Sequence, residues 1–207
     1  MQRFTRLAAV AAPIDLANVD TDRIIPARFL RKPRGTEGYA RFLFHDERFD
    51  ADGSERSDFV LNRLPYREAR ILVVAENFGC GSSREAAVWA LDAYGIRAVI
   101  APSLGDIFSQ NCYKNGLLPI LLPADVAAGL RHEIHARPGL TLTIDLESQT
   151  VTTPDGAVRR FEVDPFRKEM LLTGRDEIEL TLAYKAEIGA FEARLARDVP
   201  WLVPAAR

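Results

Sequence analysis

The chain has 207 residues, 47% of them hydrophobic and 27% charged, proportions that support a globular core. A net charge of -2 leaves no basic footprint for nucleic acid, and no apolar run reaches the length of a membrane span. Only two cysteines, Cys80 and Cys112, argue against a disulfide framework and for a reducing, cytoplasmic compartment.

In chain order, the start around Arg3 and Arg6 faintly imitates a signal peptide, but Pro13 and Asp15 cut its apolar run short. Residues 4–11 are expected to form a strand instead. The stretch 18–32 packs acids, arginines and a turn begun by Pro26 around Ile24 and Ile25, the pattern of a polar loop with a capped turn. Residues 31–58 read as a long excursion anchored by Phe42, Phe44, Phe49 and Phe59; loops of that length are usually functional or mobile. Strands follow at 69–74, 98–102 and 117–122, alternating with helices predicted from Ser82 to Gly95, over Asp106–Lys114 and over Ala124–Ala136. That alternation implies an α/β fold with a parallel or mixed sheet. From 140 the apolar period changes to two, and a Pro154-Asp155-Gly156 turn predicts an antiparallel meander to 163. The tail reads as helical with a break near Gly174. Nothing resembles a linker, so 1–207 is expected to be a single domain. It has a core over 1–163, the excursion at about 31–58, and a helical tail over 164–207.

The chain is organised around Glu76-Asn77-Phe78-Gly79-Cys80-Gly81-Ser82-Ser83-Arg84-Glu85, between a buried strand and a helix. Gly79 and Gly81 permit a sharp turn and a close approach to bare backbone. Ser82 with Glu85 three residues on is a capping-box pattern, which makes Ser82 the expected N-cap. Free N–H groups and the positive dipole end at that helix start make an anion site, and Arg84 adds a fork for a carboxylate. The same residues also describe a well-made helix start with no ligand.

Other constellations are weaker. Gly79-Cys80-Gly81 after a strand invites a nicotinamide dinucleotide fold, yet Arg84 stands at the third glycine position and no acid closes the next strand. Cys80 beside a helix start suits a nucleophile, but none of His45, His132 and His135 is tied to it by spacing. His132 and His135 read as solvated. Two thiols are too few for an iron–sulfur cluster. Asn111-Cys112-Tyr113-Lys114-Asn115-Gly116 reads as a capped helix end.

Taken together, several blocks resemble the small subunit of 3-isopropylmalate dehydratase, a family of aconitase-type enzymes. They are Asn18 to Asp22 with Ile24 to Leu30, Glu76 to Glu85, Val99 to Ser103, Asp106 to Phe108, and Lys114 to Pro119. The tail around Asp164 to Lys168 and Gly174 to Ile178 is similar too. The resemblance covers nearly the whole chain. It implies a swivelling β/β/α domain and a large partner subunit that carries a [4Fe–4S] cluster, with no cofactor or metal bound by this chain. It also implies dehydration and rehydration of a small dicarboxylic acid, interconverting 2-isopropylmalate and 3-isopropylmalate in leucine biosynthesis, with no nucleic acid or membrane partner. By position, Ser82 corresponds to the catalytic serine that takes a proton from carbon, while Ser83 and Arg84 correspond to carboxylate binders. Arg28 and Arg31 fall among the substrate-binding positions, and Phe29, Leu30 and Lys32 in the loop that selects the substrate's side chain. One departure stands out: relatives continue with His-Ala-Pro-Trp, where this chain has Ala86-Ala87-Val88-Trp89. That change keeps citraconate, dimethylmalate or homoaconitate open as the diacid. A stand-alone dinucleotide-binding oxidoreductase and a non-catalytic partner subunit remain as readings from other classes.

Overall fold

A computed structural model describes residues 1–202 of the chain. One compact unit runs from Met1 to Gly174, and a second begins at Arg175.

The first unit is built on a seven-stranded mixed sheet of order β4-β3-β2-β1-β5-β6-β7. Its strands are β1 (Arg6–Ile14), β2 (Ile71–Val74), β3 (Ala98–Ala101), β4 (Leu118–Leu121), β5 (Thr141–Asp145), β6 (Thr150–Thr152) and β7 (Val158–Arg160). The central strand β1 divides its pairing between two neighbours. Arg6 to Val10 run antiparallel to β5, and Ala11 to Ile14 run parallel to β2. Burial follows the same division. Ala11 to Ile14 and all of β2 and β3 are buried, as continuous apolar runs in a parallel sheet demand. In β5, exposed and buried positions alternate, which is the signature of one wet face. The expected meander is present as β5, β6 and β7.

Between β1 and β2 lie α1 (Thr21–Ile24), a 3-10 turn at Ala27–Phe29, another at Tyr39–Phe42, and α2 (His45–Arg48). This excursion is ordered by more than its aromatics. Arg48, 7% exposed, donates to Asn62 Oδ1 at 3.1 Å and to the Ala40 carbonyl at 3.0 Å. The Asn62 amide returns bonds to the carbonyls of Arg48 and Arg56 at 2.6 and 2.9 Å. The guanidinium lies over the rings of Phe49 and Tyr94. A buried cation is tolerated here because carbonyls and π faces replace its water.

Helices α3 (Glu85–Tyr94), α4 (Asp106–Lys114), α5 (Ala124–Ala136) and α6 (Pro165–Thr173) complete this unit. Helix α3 stops at Gly95, whose φ of 105° lies where side chains are disfavoured. Asp164 caps α6 by accepting from the amides of Phe166 and Arg167. His132 and His135 are exposed, as expected, and His135 adds a surface partner. Its Nε2 lies 2.6 Å from Asp15 Oδ2, and the same carboxylate takes Arg131 Nε at 3.1 Å.

The second unit holds α7 (Glu177–Leu182) and α8 (Lys185–Asp198). Asp176 and Glu179 form a complete capping box at the start of α7. The expected helical tail thus contains α6, α7 and α8 with the chain turning at Gly174, while its last positions, 203–207, lie outside the described residues.

Candidate active site

Three sequence blocks far apart in the chain meet beyond the C-terminal ends of β1, β2 and β3, the edge where open α/β sheets place ligands. After β2 the chain is stitched to both neighbours. Asn18 N–H donates to the Glu76 carbonyl at 2.9 Å, Gly79 N–H to the Val19 carbonyl at 2.7 Å, and Thr21 N–H to the Cys80 carbonyl at 3.0 Å. On the other side, Asn77 N–H donates to Ser103 Oγ at 2.8 Å and Gly105 N–H to the Phe78 carbonyl at 2.9 Å.

Two glycines make this approach possible. Gly79 has φ of 73°, and a Cβ there would lie 2.2 Å from the Phe108 ring. A Cβ on Gly105 would stand 2.4 Å from the Gly79 carbonyl oxygen. Phe78, fully buried, and Phe108 pack edge to face beneath the turn, with centroids 5.5 Å apart.

Above the turn opens a cavity of about 420 Å³. Ser82, Ser83 and Cys80 line one wall, and Leu104 to Phe108 line the other. The N-terminal end of α4 reaches this space, bringing unpaired backbone N–H groups and a positive dipole end to the wall that also carries Asp106.

The structure corrects the expected cap. Ser82 is not the N-cap of α3; Arg84 is, in extended conformation and without a side-chain cap bond. Long-range partners win over the local motif. The Ser82 carbonyl accepts from Thr21 Oγ1 at 2.9 Å, and Glu85 Oε1 accepts from Asn115 Nδ2 at 2.8 Å. Ser82 and Ser83 are therefore exposed side chains at the cavity wall, not components of a helix start.

The other expected site residues are placed differently. Arg84 does not line the cavity; its guanidinium, 19% exposed, is ion-paired with Asp22. Arg28 lines a separate cavity of about 550 Å³ with His45, Asp46 and Phe49. It is ion-paired with Asp46, whose carboxyl is held down at about 2 mainly by hydrogen bonds from Arg28. That pair is consequently closed throughout the neutral range. Phe29 stacks on Phe42 at 4.4 Å, while Arg31 and Lys32 are exposed. The structure thus brings Ser82 and Ser83 together and leaves Arg28 to Lys32 on a distinct patch.

Two residues of consequence escaped sequence reasoning. Asp22 occupies the fork of Arg84, and only the density of acids in Asp20-Thr21-Asp22 hinted at it. Asn115 is more than part of a helix end: it is buried and bonded to Glu85, Arg34 and the Asn111 carbonyl. Among the described residues, no three His, Cys, Asp or Glu side chains cluster in a way that holds a metal, and Cys112 is buried with its thiol pushed up by burial. No helix of the described residues is long and apolar enough to cross a membrane.

This fold is the swivelling β/β/α domain of aconitase-type enzymes: the chain matches the Aconitase C-terminal domain family over residues 1–125 and LeuD_N over 128–165. A 3-isopropylmalate dehydratase small subunit from Parvibaculum lavamentivorans is 50% identical over 202 residues, covering 98% of this chain and 100% of that one. Its counterpart from Rhodospirillum centenum is 53% identical over 201 residues, 97% of this chain and 98% of the relative. The crystal structure of 3-isopropylmalate dehydratase (LeuD) from Methanocaldococcus jannaschii superposes with a TM-score of 0.61 at 27% identity, covering 90% of this chain and 99% of that one. The chain belongs to the 3-isopropylmalate dehydratase small-subunit family. Membership replaces the reading as a stand-alone nicotinamide oxidoreductase.

Proposed function

We propose that this chain is the small subunit of a two-chain hydro-lyase that interconverts 2-isopropylmalate and 3-isopropylmalate in leucine biosynthesis. The observation that carries the reading is about half identity over nearly the whole chain to curated small subunits, together with paired serines on a cavity that the start of α4 faces. The name of those relatives implies a larger partner chain. Free thiols at Cys80 and Cys112 suit a reducing cytoplasm.

The chain's own residues account for half of the chemistry. Ser82 takes the proton from the substrate carbon; a hydroxyl is a weak base, so its anionic form needs local stabilisation. The start of α4, on the facing wall, supplies oriented N–H groups for that charge. Ser83 hydrogen-bonds a substrate carboxylate at the same wall. Arg84, ion-paired with Asp22 beside the serines in the chain, grips the second carboxylate through its planar fork once it turns from Asp22. Arg28 and Arg31 belong to the selecting loop, on a patch apart from the serine cavity, where Phe29, Leu30 and Lys32 read the side chain. Among the described residues no three His, Cys, Asp or Glu side chains gather to hold a metal, and a [4Fe–4S] cluster on the large subunit would supply Lewis-acid chemistry for the leaving hydroxyl.

Arg84→Lys is expected to raise KM for the diacid about tenfold and change kcat much less, because a point charge replaces the fork. An unchanged KM in steady-state assays counts against the assignment. The reading as a whole is tested by hydratase assays on alkene diacids, with and without a cluster-loaded large subunit. Turnover of isopropylmaleate only in the mixture is the expected result. Preference for citraconate, dimethylmaleate or a homoaconitate moves the substrate and keeps the chemistry, and Ala86 in place of histidine is the feature behind such a shift. No turnover of any diacid leaves a non-catalytic partner subunit.

A further inference from the structure

Asn115 is 6% exposed, and a buried amide needs partners for both its oxygen and its nitrogen. It has them in three directions. Oδ1 accepts from Arg34 Nη1 at 2.8 Å, and Nδ2 donates to Glu85 Oε1 at 2.8 Å and to the Asn111 carbonyl at 2.9 Å. Glu85 is the first residue of α3 and follows Ser82-Ser83-Arg84 directly. Asn111 and Asn115 stand at the far end of α4, the helix whose first turn forms the opposite cavity wall. The amide therefore ties the start of α3 to the body of α4 and fixes the spacing of the two walls.

Its third arm reaches elsewhere. Arg34 follows the exposed Arg31 and Lys32 by two residues or more, and it also donates to Asp92 of α3 at 3.3 Å. Its guanidinium lies over the Trp89 ring, 5.8 Å from the centroid. At the other end of this short segment, Phe29 stacks on Phe42. The segment carrying Arg28 to Lys32 is thus clamped at both ends, and one clamp is fastened to the buried amide beside the serine turn. The Arg34–Asp92 ion pair itself is half exposed and contributes little. What gives the arm its weight is the bond to a buried, otherwise satisfied amide.

We propose that Arg34, Asn115 and Glu85 form a relay that couples the substrate-selecting loop to the serine turn, with Asn115 and Arg34 as positioning residues for specificity. The proposal rests on the function given above. Arg28 lines a cavity separate from the one that Ser82 and Ser83 line, and the hydrogen bonds of Arg34, Asn115 and Glu85 run between the two segments that carry these residues.

The test uses the assembled enzyme and the full-length subunit. Arg34→Met is expected to change the ratio of kcat/KM between isopropyl- and methyl-substituted alkene diacids about tenfold, while kcat on the better one stays within about threefold. Asn115→Asp sets a carboxylate against Glu85 and the Asn111 carbonyl, and should shift the same ratio while lowering kcat about tenfold on every diacid. Arg34→Lys keeps a donor for Oδ1 and should restore most of the ratio. A merely structural role lowers the melting temperature and leaves the ratio at its wild-type value; that result overturns the relay. Hydrogen exchange on the free subunit gives a readout independent of turnover. Asn115→Asp should raise exchange both at 79–85 and at 28–36, whereas a rise confined to 111–117 refutes the coupling. Should the wild-type complex turn over no diacid, the functional reading fails, and the exchange experiment still decides the relay.

Discussion

Ser82→Ala in the assembled complex is expected to lower kcat about a thousandfold with little change in KM, the loss that follows removal of a proton acceptor. Ser82 is exposed at the cavity wall and caps no helix, so its hydroxyl contributes little to folding. Its tie to the fold runs through the backbone carbonyl that accepts from Thr21, which alanine keeps. Assembly with the large subunit and the melting temperature should therefore match wild type. Full turnover by the variant would show that another group takes the proton, or that the chain is only a scaffold for its partner.

The second large effect is expected from Gly79→Ala. The residue sits at φ of 73°, and the added carbon meets the Phe108 ring at 2.2 Å, too close for any rotamer of alanine to relieve. Left-handed backbone costs a non-glycine residue about 1 kcal/mol, and forcing a methyl into packed aromatic contact adds roughly 1–3 kcal/mol. A fall in melting temperature of about 5–12 °C follows for a chain of this size. Gly79→Ala combined with Phe108→Leu separates the two causes. The double variant should recover the steric part and leave the backbone part. An unchanged melting temperature for the single variant would mean that the turn is free to move away from α4.

Much of the architecture was legible because the determinants are local. The runs at 71–74, 98–101 and 118–121 are apolar throughout and become parallel strands, buried but for the exposed Leu121, and Gly95 and Gly174 stop helices where expected. The period-two stretch 141–145 became β5. What the residues alone did not reveal are contacts settled by the fold. Ser82-x-x-Glu85 is a good local cap, but Asn115 comes from a remote segment and bonds the Glu85 carboxylate that would close it. Arg84 looked like a free cation for the same reason, since Asp22 reaches it only after β1 and β2 are side by side. The anion-binding character of the turn followed from glycines and a helix start; the roles given to Ser82, Ser83 and Arg28 came from family likeness.

The divided pairing of β1 also fixes an order of events during synthesis. The strand at Arg6–Ile14 leaves the ribosome first, yet its partners are β2, and then β5 with Arg6 opposite Asp145. Such distant pairing must meet the entropy of closing a long loop before any contact rewards it. The nascent chain consequently holds residues 11–14 unpaired until β2 emerges, and residues 6–10 unpaired until β5 does. During that interval an open strand edge invites pairing with a neighbouring chain.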